Sequence, residues 1–220
     1  MDIHVNGVQL YYEKIGTGEP VIFVHGNQED HQIFFELAHA IKDQYTCYLF
    51  DSRNHGKSTI TDVFDYKAMA EDYIQAIDAL TLTSPYFLGY SDGGIIGLMI
   101  ALQRTQLLKK MMICGANVNP LGIVKNARNQ LQHDVKRTKN PYLKMMLDQP
   151  NISFNSLTNI SIPTMVIAGE FDVIQRRHTI AISNHLQRSK LMIIEKKHHD
   201  DYLVHRDDLN DVISDFFSER

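Results

Sequence analysis

Short continuous apolar runs alternate along this chain with segments whose apolar positions recur at helical spacing, and that alternation predicts the fold class before any motif is considered. Ile3 to Val5 and Val8 to Ile15, broken by Asn6-Gly7, predict an antiparallel hairpin at a sheet edge, because Asn-Gly supplies the positive φ angles of a two-residue turn. Val21-Ile22-Phe23-Val24 is apolar throughout, as in a strand buried on both faces of a parallel sheet. From Glu29 to Ile41 the residues Ile33, Phe34, Leu37, Ala38 and Ile41 fall on one helical face, and Thr46 to Phe50 follows as a strand. Tyr66 to Leu80 predicts an amphipathic helix with Met69, Ala70, Tyr73, Ile74, Ile77 and Leu80 in register. Pro85 to Leu88 is the next strand, a helix runs from the glycines after it to about Gln103, and Leu108 to Cys114 is another strand.

Between Ala116 and about Ile160 the texture changes. Polar residues increase, two helical pieces flank Asn140-Pro141, and no strand-like run occurs, which predicts an insertion lying over the sheet. The alternation resumes with a strand at Pro163 to Gly169, a helix from Arg176 to Leu186, a strand at Leu191 to Ile194 and a closing helix from about Arg206 to Phe217. The class is therefore α/β in three layers: a mostly parallel sheet with an N-terminal antiparallel hairpin, covered by helices. Functional residues should collect at the C-terminal ends of its strands.

Composition narrows the function. A chain of 220 residues suits one domain, 1–220, with 116–160 as its insertion. A net charge of −4 without long basic runs argues against nucleic acid or an anionic membrane surface as partner and for a small-molecule substrate. Cys47 and Cys114 both lie in apolar runs and read as buried thiols of a reducing compartment. Met1-Asp2-Ile3-His4 opens no signal pattern, and no apolar stretch approaches the about 18 residues of a membrane span, so a cytoplasmic location is expected.

The chemistry centres on Gly89-Tyr90-Ser91-Asp92-Gly93. Taken alone, this pentapeptide reads equally well as a glycine-rich turn with an incidental serine or as a strand-turn-helix elbow that lifts a nucleophile. In the second case the glycines leave room for a tight turn, and the helix behind Ser91 aims its free N–H groups at the developing negative charge. A serine hydroxyl needs a base, and the base needs a carboxylate to orient it. Asp172 lies just past the strand ending at Gly169, and His199 just past the strand ending near Glu195. That gives the order Ser, Asp, His expected after a nucleophile elbow. Oxyanion donors would be the backbone N–H groups of Asn27 and Asp92. His25 reads first as a brace for the His25-Gly26-Asn27 turn and is carried with Asp92 as a candidate substrate contact.

These motifs, together with Asp51-Ser52-Arg53-Asn54-His55-Gly56-Lys57-Ser58 and Gly169-Glu170-Phe171-Asp172, resemble the α/β-hydrolase superfamily in a compact form with a short helical cap. The resemblance implies Ser91, Asp172 and His199 as nucleophile, acid and base, and Asn27 as an oxyanion N–H. It implies hydrolysis of a small ester through an acyl-enzyme, with carbon–carbon bond hydrolysis or lyase chemistry on the same triad as the alternative and a non-catalytic binding scaffold as a weaker one. Family members usually carry Gly before the catalytic His, where this chain has His198; Tyr202, three residues beyond His199, favours His199 as the base, leaving His198 beside it facing solvent. Asp92 either orients the elbow helix or pairs with a cationic substrate group. His205 is expected at the start of the last helix. The loop Arg53 to Ser58 lacks the glycine spacing of a phosphate cradle and reads as a tether beside the pocket.

No cofactor is called for, and no metal: His198, His199, Asp200, Asp201 and His205 have no ligand spacing of the kind a metal requires. Ile123, Leu131, His133, Tyr142, Met145 and Met146 are the insertion residues expected to line an acyl pocket, which should accept short or medium chains.

Overall fold

A computed structural model of the chain describes residues 1–219. Strands β1 (Asp2–Val5), β2 (Val8–Gly16), β3 (Glu19–Val24), β4 (Tyr45–Phe50), β5 (Tyr86–Tyr90), β6 (Met111–Cys114), β7 (Thr164–Gly169) and β8 (Ser189–Ile194) form one sheet in the order β1-β2-β4-β3-β5-β6-β7-β8. The β1–β2 and β2–β4 pairings are antiparallel and all others parallel. Asn6 and Gly7 close the hairpin with φ of 47° and 76°, the left-handed geometry that Asn-Gly adopts readily.

The central strands are apolar on both faces because both are covered. Ile22, Val24, Phe87, Ile113 and Val166 pack against α2 (Tyr66–Ala79), α3 (Asp92–Gln103) and Ile182 of α6 (Arg176–His185). Their neighbours Val21, Phe23, Leu88, Met112 and Ile167 pack against α1 (Phe35–Ile41) and α7 (Asn210–Ser218). Each buried side chain of this size contributes about 1.5–3 kcal/mol, so strand period and helix period together fix the three layers. Cys47 and Cys114 point into the second of these cores as free, buried thiols.

Residues between β6 and β7 carry α4 (Lys125–Thr138) and α5 (Pro141–Asp148), with Asn140 capping α5 by accepting from the N–H groups of Tyr142 and Leu143. Among the described residues no helix is long and apolar enough to cross a membrane.

Several boundaries differ from the sequence pattern, among them β3, β5 and β8 by two residues at one end, and three others have a local account. The first helix begins as a 3-10 turn at His31–Phe34, not at Glu29, because the Glu29 side chain folds back onto the Gly26 N–H while Asp30 caps the Gln32 N–H. The strand before Cys114 starts at Met111 and not at Leu108; Lys109 reaches out to Glu19, while Lys110 is buried and donates to Phe216 O of α7. The last helix starts at Asn210, and His205 precedes it in a turn at φ 52°, its N–H donated to Ile33 O.

Candidate active site

Four strand ends meet at one rim. β5 feeds Ser91, which sits between strand and helix at φ 51° and ψ −113°, its N–H held by Cys114 O at 2.7 Å. No side chain fits at Gly93: a Cβ there would lie 1.9 Å from Val24 O, so the helix can start only because the backbones touch. The sharp turn leaves Ser91 half-buried at the N-terminus of α3.

The loop after β7 brings Asp172 and the loop after β8 brings His199. His199 Nδ1–H donates to Asp172 Oδ1 at 2.7 Å, and His199 Nε2 accepts from Ser91 Oγ at 3.1 Å. Asp172 is itself fixed, its oxygens taking the N–H groups of Ile174 at 2.8 Å and Gly169 at 3.3 Å. The imidazole packs beside Tyr90 with ring centroids 5.0 Å apart. Such an arrangement can move a proton off Ser91 Oγ while a buried carboxyl holds the ring tautomer. His198, by contrast, is exposed, and its ring lies against Phe171. Tyr202 is fully buried and its hydroxyl has no partner among the described residues.

The loop after β3 supplies the opposite wall. The Asn27 and Asp92 backbone N–H groups have no acceptor among the described residues. Both are therefore unengaged donors at the rim that holds Ser91. The Asn27 loop is tied down at both ends, by Glu29 Oε2 accepting from Gly26 N–H at 2.9 Å and by His55 Nε2 accepting from Gln28 N–H at 3.0 Å. In that respect the Arg53 to Ser58 segment is a tether: Arg53 pairs with Asp72 of α2, and Asn54 O accepts the Tyr142 hydroxyl from α5.

His25 is not among the residues that line the cavity beside Ser91. It is 1% exposed, its Nδ1 donates to Gly26 O at 2.7 Å and its Nε2 accepts from Ser52 N–H at 3.0 Å, so its part as a substrate contact gives way to bracing. Burial, with His55 beside it, pulls its pKa down to about 3. Asp92 does line the cavity. Its side chain makes no helix cap; Oδ1 accepts from the Tyr66 hydroxyl at 2.7 Å and Oδ2 from the Asn27 amide at 2.8 Å, and burial raises its pKa.

Above Ser91 lies a cavity of about 360 Å³. Ile123, Ala127, Leu131, Leu143 and Met146 roof it from the insertion, and Val173 and Ile174 close one side. Three expected lining residues are elsewhere: His133 faces solvent, Met145 joins the core, and the Tyr142 ring packs against His55 and Phe64. The helical period identified the pieces but not their rotation, so Ala127 and Leu143 were missed. Glu29 was missed because the pattern placed it inside a helix.

Among the described residues, Asp30, His31 and Asp51 bring potential metal-ligand atoms within 4.8 Å of one another. The His31 ring is already engaged there, Nδ1 with Asp51 at 2.7 Å and Nε2 with Glu13 at 3.2 Å. None of His198, His199, Asp200, Asp201 and His205 belongs to that group.

A family model described as alpha/beta hydrolase fold matches residues 19–144. The Homo sapiens protein named serine hydrolase BPHL is 25% identical, the match covering 97% of this chain and 84% of its own. Among solved structures, an esterase (EaEST) from Exiguobacterium antarcticum superposes with a TM-score of 0.86 at 20% identity, covering 99% of each chain. A meta-cleavage product hydrolase from Pseudomonas fluorescens IP01 superposes at 0.82 and 16% identity, covering 99% of this chain and 97% of its own.

Proposed function

The chain belongs to the alpha/beta hydrolase fold family, and from that premise we propose that it is a cytoplasmic serine hydrolase cleaving small esters or similar acyl compounds through an acyl-enzyme. The observation that carries this reading is the continuous line Ser91 Oγ, His199 Nε2, His199 Nδ1, Asp172 Oδ1, with contacts of 3.1 and 2.7 Å, at the floor of an apolar cavity.

Ser91 Oγ passes its proton to His199 Nε2 as it attacks the acyl carbonyl carbon. The carbonyl oxygen takes the negative charge and is met by the N–H groups of Asn27 and Asp92 and by the positive end of α3. His199 returns the proton to the departing alcohol oxygen, leaving an acyl-Ser91 ester. Water, deprotonated by the same imidazole, then attacks that ester and releases the acid and free Ser91. Asp172 holds the ring in the Nδ1–H tautomer throughout. The whole chain acts as one domain, with 116–160 as a cap whose modest cavity suits short or medium acyl groups.

Labelling with a fluorophosphonate probe tests the reading. Wild-type protein is expected to label and Ser91→Ala to remain unlabelled; labelling that survives the substitution disqualifies Ser91. His199→Ala should lower ester turnover by about 10³-fold or more, whereas His198→Ala should leave most of it. The opposite ranking would move the base to His198.

A further inference from the structure

Among the described residues, the cavity over Ser91 is lined by two carboxyl groups, Glu29 and Asp92, and by no lysine or arginine. The two are held differently. Asp92 has both oxygens engaged, by Tyr66 and Asn27. Glu29 has only Oε2 engaged, by the Gly26 N–H, and no hydrogen bond among the described residues reaches its Oε1. Its position beside the reacting atoms is close: a Cβ at Gly26 would lie 2.6 Å from Glu29 Oε2 and 3.1 Å from Ser91 Cβ. Glu29 thus brings to the cavity lining a carboxyl group with one oxygen lacking a partner among the described residues.

From this we infer that Glu29 is a specificity-determining residue that sets the cavity against acyl groups carrying a carboxylate and in favour of uncharged ones. The inference rests on the serine hydrolase reading only for the identity of the ligand as an acyl compound. Like charges brought together under this apolar roof repel, and among the described lining residues only the His199 imidazole can become cationic to offset them. Glu29 faces His199 and Asp200 from the loop after β8, Asp92 from the start of α3 and Tyr90 from the end of β5. Burial raises its pKa to about 7; Asp92 and Asp200 push the same way, against the Gly26 N–H and His199. The repulsion is accordingly strongest above neutrality and fades as the carboxyl takes up its proton.

Binding separates this from the catalytic reading. Butyranilide and succinanilate, an uncharged and a carboxylate-bearing amide of the same acyl length, are titrated calorimetrically into wild-type protein and Glu29→Gln, and the matching 4-nitrophenyl esters are assayed for turnover. Glutamine keeps the oxygen that accepts from Gly26 but carries no charge. Wild-type protein at pH 8 should prefer the uncharged amide by about a hundredfold, and Glu29→Gln should narrow the preference to about tenfold or less. In wild-type protein alone, lowering the pH from 8 to 6 should also narrow it, since succinanilate stays ionised while Glu29 is neutralised. An equal preference in both proteins, or one unchanged with pH in the wild type, overturns the inference. Turnover of neither ester with the binding preference intact overturns the hydrolase reading alone.

Discussion

Ser91 occupies a backbone conformation that costs a side-chain-bearing residue about 1–3 kcal/mol, and its neighbours show how that cost is sustained. Its N–H is locked to Cys114 O, and two residues on, Gly93 lies where any Cβ would meet Val24 O at 1.9 Å and Val24 C at 2.6 Å. Both obstacles are β3 backbone, which cannot swing aside as a side-chain tip can. Gly93→Ala should therefore destabilise the protein by about 3 kcal/mol or more in urea unfolding. Gly7→Ala is the control: that site, unlike Gly93, has positive φ, at 76°, but a Cβ there meets nothing within 4 Å, so only the left-handed conformation is penalised, by about 1 kcal/mol. If Gly93→Ala unfolds no more readily than Gly7→Ala, the elbow is not held by backbone contact.

Elements around the site are joined by one buried ion pair. Arg53, in the loop after β4, donates from Nε and from a terminal nitrogen to the two oxygens of Asp72 on α2 at 2.6 and 2.5 Å, and Asn6 of the hairpin turn adds a third donor at 2.8 Å. Burial raises the Asp72 pKa even against the adjoining guanidinium, so the carboxyl depends on its partners to stay charged. Arg53→Met should cost about 3–5 kcal/mol by stranding that carboxyl, and Arg53→Met with Asp72→Leu should recover most of the loss. A double variant as unstable as the single one would show that the pair does more than satisfy itself. This pair also marks the limit of what is legible in the sequence. Strands and helices were readable because Val21 to Val24 and the Tyr66 to Leu80 face repeat with the periods of their own geometry. Ser91, Asp172 and His199 could be named as candidates because each lies within a few residues of the end of such a strand. Arg53 and Asp72 touch only through the fold, and no period records that contact. The same holds at the cap, where rotation of α4 and α5 decides that Leu143 lines the cavity while Met145 enters the core. At Glu29 a local bond to the Gly26 N–H outcompeted helix continuation, and that was invisible to a pattern built on apolar spacing.

Across the whole molecule, buried titratable groups pull stability in opposite directions with pH. His25 and His178 are lowered by burial from 6.5 to about 3 and about 4, so the folded protein keeps them neutral where the unfolded chain would charge them. Their contribution is complete above about pH 6.5 and is lost as the pH falls toward the folded values, which amounts to about 2 kcal/mol each by pH 5. Glu29 has the reverse sign. Raised by burial from 4.5 to about 7, it binds its proton more tightly when folded, so its contribution is complete below about pH 4.5 and is lost as the pH rises through about 7. Between pH 8 and pH 5 the carboxyl gains about 2 kcal/mol while the two histidines together lose about 4 kcal/mol, so Glu29 offsets about half of their loss. Glu29→Gln removes one side of that balance. Urea unfolding at the two pH values should show the variant losing about 2 kcal/mol more than wild type on going from pH 8 to pH 5, because every other group cancels in the comparison. An equal loss in both proteins would mean that Glu29 titrates as an exposed carboxyl does. Its environment beside Ser91 would then be wetter than the cavity's apolar roof implies, and its charge would reach a bound acyl group only through water.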